Sequence, residues 1–140
     1  MVNRSIPTRL LIGWEMTHQQ IAELMNACDA LVCTSMQEGS PNTVKEALAC
    51  NLPVVSVPVG DVALRLAGVE GCELCPDDRP ETIAAALARI LQRGERIDGR
   101  SAVQELDERV LTERLIAIYR SILPAKPTLE VCDDADLQIA

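Results

Sequence analysis

At 140 residues the chain is long enough for one domain with a real core, and its net charge of −8 with a pI near 4.6 argues against nucleic acid or an anionic membrane as partner. Apolar residues make up 48% but aromatics only 1%, with no Phe, so the core must be Leu, Ile, Val and Ala, the mix of a buried parallel sheet under helices.

The elements follow in chain order. Arg9 to Gly13 reads as a short strand, Trp14 to Met16 as a loop. Thr17 caps a helix with Gln20 as its capping-box partner, and Ile21, Leu24, Met25 and Cys28 form its core stripe at helical spacing. Ala30 to Cys33 is the next strand. Ser40 is an N-cap and Pro41 suits a first helical turn. Val44, Ala47 and Leu48 share the inner face of that helix, while Glu46 points away from it; Asn51 can end the helix in a left-handed cap before Pro53. Val54 to Val57 is a β-branched buried strand, Pro58 to Asp61 a loop, Val62 to Ala67 a short helix, and Cys72 to Cys75 a brief strand. Asp78-Arg79-Pro80-Glu81 is a second capping box, followed by a stripe of Ile83, Leu87, Ile90 and Leu91 that ends at Gly94. Ser101 to Leu123 is helical with a break near Asp107. Residues 125–140 are acidic and proline-bearing and read as a disordered tail behind a domain spanning 1–124.

Alternating strands and helices signal a parallel α/β sheet, Rossmann-like and flanked by helices. Ligands of such sheets bind beyond the carboxyl ends of the strands, so the loops Thr34–Pro41 and Pro58–Asp61 should line one crevice. There Glu38 and Glu46 stand eight positions apart around the helix start Gly39-Ser40-Pro41-Asn42-Thr43. A helix N-terminus offers unpaired amides and a partial positive charge to phosphate, and carboxylates accept hydrogen bonds from sugar hydroxyls.

The segment EGSPNTVKEALACNLPVV, with Asp29 before it and Thr34-Ser35 at its head, resembles the donor-binding motif of retaining GT-B glycosyltransferases of the GT4-like group. PDDRPETIAAALARIL and ERLIAIYRSIL resemble downstream helices of the same family, and the likeness runs from about Thr8 to Leu123. It implies a partial C-terminal domain of a GT-B fold. It also implies a nucleotide-diphosphate sugar donor, such as a UDP-sugar, and transfer to an acceptor with retention in envelope polysaccharide or glycoconjugate synthesis. In that pattern Glu38 holds hydroxyls of the donor sugar and is the catalytic candidate. Glu46 grips the ribose, and Gly39, Ser40, Pro41, Asn42 and Thr43 lie against sugar and diphosphate, with Gly60 on the second loop. The resemblance implies neither cofactor nor metal. It also implies an acceptor-binding domain and an opening strand with an Arg and a Lys for the diphosphate, none of which matches any segment here. This chain alone is therefore expected to be inactive. The alternative is a non-catalytic α/β binding or assembly module that needs a separate acceptor-domain partner, or a homo-oligomer that covers an open sheet edge.

Other residues speak less directly. Lys45 can reach phosphate, but a solvated surface lysine is the simpler reading. His18, the one histidine, reads as a surface residue. Cys72 and Cys75 have C-x-x-C spacing, yet on a strand they face opposite sides. Six cysteines, most of them inside apolar runs, fit small reduced core residues. The first ten residues are too short and polar for a signal peptide, and no apolar run approaches the ~20 residues of a membrane span, so the expectation is a cytoplasmic protein without a transmembrane segment.

Overall fold

A computed structural model of the chain describes residues 7–123. They divide into two compact units, Met1–Gln104 and Glu105–Ala140. The acidic tail expected over 125–140 lies outside the described residues, as does Cys132.

The first unit is an α/β fold around a three-stranded parallel sheet. Helix α1 (His18–Ala27) leads to strand β1 (Leu31–Cys33), α2 (Asn42–Ala49), β2 (Val54–Ser56), α3 (Val62–Leu66), β3 (Glu73–Leu74) and α4 (Pro80–Arg93); a 3-10 helix over Arg100–Leu106 then runs across the division at Gln104. The strands lie in the order β1-β2-β3. Leu31 pairs with Val54 and Cys33 with Ser56, while Val55 pairs with Glu73.

Strand β2 is central and buried on both faces. Val54 and Val55 point to opposite sides, and each is fully shielded. Val55 packs with Cys75, Ala86 and Ile90 under α4. The other apolar layer includes Val44, Ala47 and Leu48 of α2, Leu52 and Val62, all at or below 1% exposure. This two-sided burial explains why the segment reads as an unbroken β-branched run.

The helix ends show why the sequence folds this way. Thr17 and Gln20 form the expected reciprocal capping box at α1. Asn51 adopts the left-handed φ of +55° that ends α2, and Gly94 does the same for α4. The stretch after α4 then closes two helices. The Arg96 guanidinium donates to the carbonyls of Met25, Asn26 and Cys28 at the end of α1. Arg100 Nε donates to Ala49 O at 2.8 Å, and its amide to Asn51 Oδ1 at 2.9 Å. Cations and donors at helix C-termini satisfy carbonyls that lack intrahelical partners. Gly99 permits the approach: a Cβ there would fall 2.8 Å from Leu48 O and 3.0 Å from Leu48 Cα. Arg89 forks onto Glu73 with two bonds of 3.0 Å, joining α4 to β3.

Several expectations need correction. Arg9 to Gly13 forms no strand, and Leu10, Ile12 and Trp14 are more than 80% exposed. A strand exists only through pairing, and no described segment pairs with this one. Helix α2 starts at Asn42 with Pro41 in the cap position, one residue later than expected. Asp78 caps nothing: Arg79 holds the cap position of α4 and Asp77 accepts from the Arg79 amide. Pro80 has no N–H to offer, and the Asp77–Arg79 pair takes over the turn. On α4 the buried positions are Ala86 and Ile90, whereas Leu91 is half exposed. On α1 Met25 is buried and Leu24 open.

In the second unit, helix α5 (Glu108–Ile122) begins where the sequence predicts a break. Asp107 caps it by accepting from the Arg109 amide at 2.9 Å. It has no buried residue, and Leu111, Leu115, Ile118 and Ile122 stand open.

Gly99→Ala should lower stability by about 1–3 kcal/mol, because backbone rather than a movable side chain blocks the new methyl; Leu48→Ala should cost about 2–5 kcal/mol. Urea unfolding checks both: the midpoint should fall with the slope unchanged.

Candidate functional site

The loops after β1 and β2 meet at the carboxyl end of the sheet. The Asp61 amide donates to Gly39 O at 3.1 Å. Gly60, with φ of +53°, lets the strands of chain touch: a Cβ there would sit 2.3 Å from Gly39 O and 2.8 Å from Glu38 O. The structure thus gives Gly60 a packing role at the edge of the predicted site.

Side chains tie the same junction. Ser40 Oγ donates to Asp61 Oδ2 at 2.8 Å, and Arg65 Nε donates to the same oxygen at 2.9 Å. Lys45 Nζ in turn donates to Ser40 Oγ at 3.1 Å. Burial would raise the Asp61 carboxyl, but the hydrogen bonds from Ser40 and Arg65, with the charges of Arg65 and Lys45, hold it below its ordinary value. Asp61 Oδ1 is shielded and takes no hydrogen bond among the described residues, so it can accept one more donor.

Ser40 therefore does not cap α2, correcting the expectation. Its hydroxyl is turned to Asp61, and Pro41 in the cap position supplies no side-chain acceptor. The first-turn amides of α2 are left without a side-chain partner. Asn42 and Thr43 lie on this exposed turn, and Lys45 is half-buried beside it.

The two glutamates occupy different surroundings. Glu38 is exposed on the loop that abuts Gly60. Glu46, half-buried, faces α1, where its Oε1 lies 3.8 Å from Nδ1 of the exposed His18. A groove of about 170 Å³ between α1 and α2 is lined by His18, Ile21, Met25, Glu46 and Cys50. The sequence places Asp61 on the second loop, as a donor contact or a plain turn residue, but does not point to Arg65; their i, i+4 spacing is the available signal.

A separate crevice of about 220 Å³ opens beyond all three strands, with Thr34 and Ser35 after β1, Val57 and Val59 after β2, and Asp77 and Asp78 after β3. Hydrogen bonds from Arg79 and Thr82 hold Asp77 down at about 2. Cys72 and Cys75 are free thiols pushed up by burial, the reverse of a reactive thiolate. No helix among the described residues is long and apolar enough to cross a membrane.

A sequence profile described as "Glycosyl transferases group 1" matches residues 7–93. Among solved structures, sucrose-phosphate synthase from Thermosynechococcus elongatus superposes with a TM-score of 0.67 at 26% identity, over 76% of this chain. The chain spans 28% of the length of that protein. That likeness identifies the sheet and its helices as part of a GT-B Rossmann-like domain. No curated protein sequence matches the chain.

Gly60→Ala should part the two loops, seen as shifted amide resonances at Gly39 and Asp61, since neither the left-handed φ nor the 2.3 Å approach admits a methyl. Asp77 titrates at about 2 in the fold against about 3.9 unfolded, so its contribution is complete above pH 4 and is lost as pH falls towards 2. Urea midpoints measured from pH 7 to pH 2 should decline less steeply below pH 4 for Asp77→Asn than for the parent chain.

Proposed function

Since the chain belongs to the group 1 glycosyl transferases, we propose that it is the donor-binding part of a retaining enzyme that takes sugar from a nucleotide-diphosphate sugar. The observation that carries this reading is the uncapped N-terminus of α2, with Lys45 at its side and Ser40 turned away to Asp61. Free amides and a neighbouring ammonium suit a diphosphate. The amides from Gly39 to Thr43 bind it, Glu46 accepts from the ribose hydroxyls, and Glu38 accepts from the sugar.

In the full reaction the bond from the anomeric carbon to the diphosphate oxygen breaks. An acceptor oxygen bonds to that carbon on the same face, and the acceptor proton passes to the leaving diphosphate. Charge builds on the leaving group, so cations and amides around it supply the main stabilisation. The acceptor requires a domain beyond the residues 7–104 of the first unit. Envelope polysaccharide or glycoconjugate synthesis in the cytoplasm fits this chemistry, as do the five free cysteines among the described residues.

Titration with UDP should move the amide resonances of Glu38 to Thr43. Glu46→Gln should weaken UDP binding about tenfold or more, as loss of hydrogen bonds to a charged group does. If UDP at millimolar concentration leaves those resonances in place, donor binding falls.

A second reading, an assembly module, is favoured by one feature. Strand β1 lies at the end of the sheet with its outer edge unpaired among the described strands, while Leu10, Leu11, Ile12 and Trp14 stand open. Such an edge pairs readily with another chain, a second copy included. Under this reading light scattering should report a dimer that Val32→Pro dissociates; a strict monomer at high concentration would exclude self-association.

A further inference from the structure

The side chain of Asp61 forgoes the role that its place in the chain offers. Asp61 stands at the cap of α3, where an aspartate ordinarily accepts from first-turn amides, yet it makes no such bond. Its Oδ2 instead takes two donors, Ser40 Oγ at 2.8 Å and Arg65 Nε at 2.9 Å. Its Oδ1 is shielded and takes no hydrogen bond among the described residues. Joining the two loops does not require this arrangement. The bond from the Asp61 amide to Gly39 O and the contact of Gly60 with Gly39 are made by backbone, without the carboxylate.

What the carboxylate does reach is Lys45. A hydroxyl has one hydrogen and two lone pairs. Ser40 gives its hydrogen to Asp61, so its oxygen is left to accept, and Lys45 Nζ donates to it at 3.1 Å. Ser40 precedes α2, so Lys45 is drawn back towards the N-terminal end of its own helix. An ammonium there adds to the positive end of the helix dipole, the unfavourable end for a cation. No acidic residue in the first turn of α2 offsets it, and the Asp61 carboxylate is already paired with Arg65. An anion at the helix start relieves this concentration of positive charge. One N–H of Lys45 is engaged by Ser40, and the ammonium has others to donate.

We propose that Asp61 is a positioning residue: through Ser40 it fixes the Lys45 ammonium at the start of α2, where it meets the diphosphate of the donor. The inference rests on the donor-binding reading and adds to it a residue that touches no part of the ligand. The direction of its effect is diagnostic. A carboxylate acting only by its own charge repels a diphosphate, so its removal would tighten binding. A carboxylate acting through Ser40 and Lys45 does the reverse.

A double-mutant cycle on the full 140-residue chain, read by calorimetry with UDP, tests this. Asp61→Ala should weaken UDP by about fivefold or more. Lys45→Met, which keeps the apolar stem and removes the ammonium, should weaken it at least as much. In the Lys45→Met background Asp61→Ala should change UDP affinity by less than about twofold, because no ammonium is left to position. A loss of packing alone would weaken UDP by the same factor in both backgrounds. Thermal unfolding checks that each variant is folded, and Asp61→Asn takes the place of Asp61→Ala in the cycle if that variant is not. The inference is overturned, and the donor reading stands, if UDP binds the parent but the Asp61 variant leaves its affinity unchanged, tightens it, or weakens it equally with and without the Lys45 ammonium. If UDP does not bind the parent chain, both fall.

Discussion

Strand β2 carries the greatest constraint in the first unit. It is hydrogen-bonded along both edges and covered on both faces, so Val54, Val55 and Ser56 have no contact with water. Even the Ser56 hydroxyl is satisfied internally, by donating to Val57 O at 2.9 Å. A strand held on four sides fixes where its ends lie. The loop after it must emerge beside the loops after β1 and β3, and a single edge carrying all three loops is the consequence. The same packing density leaves no room for a side chain at Gly99, where the chain returns over Leu48.

The surface so created is electrically divided. On the α2 side, Lys45, Ser40 and uncapped amides make a donor-rich patch, with Asp61 pinning the two loops rather than facing a ligand with both oxygens. On the β3 side, Asp78 leaves an acceptor-rich crevice. The backbone turn at Gly60 lies between the two, held against Gly39. The fork of Arg89 on Glu73 and the donors of Arg96 and Arg100 lie away from this surface and serve helix ends and packing.

Much of the architecture was legible in the residues because local physics decided it. The Thr17–Gln20 box, the left-handed Asn51 and Gly94, the buried stripe Val44-Ala47-Leu48 and the break at Asp107 each depend on neighbours within about one helical turn. Where a distant group competed, the local reading failed. Ser40 was drawn from its cap by Asp61, which lies twenty-one positions away. Asp78 lost its cap to the ion pair of Asp77 with Arg79. The apolar run from Leu10 to Trp14 has strand chemistry but no paired partner. The buried face of α4 turned towards Ala86 because small residues let the helix lie close to Val55 and Cys75.

The sequence by itself determined the alternating α/β order, the family and the paired glutamates around a helix start, since these rest on periodicity, helix-end chemistry and a contiguous motif. Tertiary structure alone decided that Gly60 is needed for contact with Gly39, that Ser40 and Arg65 both bond to Asp61, and that Glu46 faces α1 beside His18. It also decided that Asp78 is left open beside Thr34 and Ser35. Those facts depend on residues far apart in the chain that meet only when β2 brings the strand ends to one edge. Periodicity and spacing carry no information about that distance.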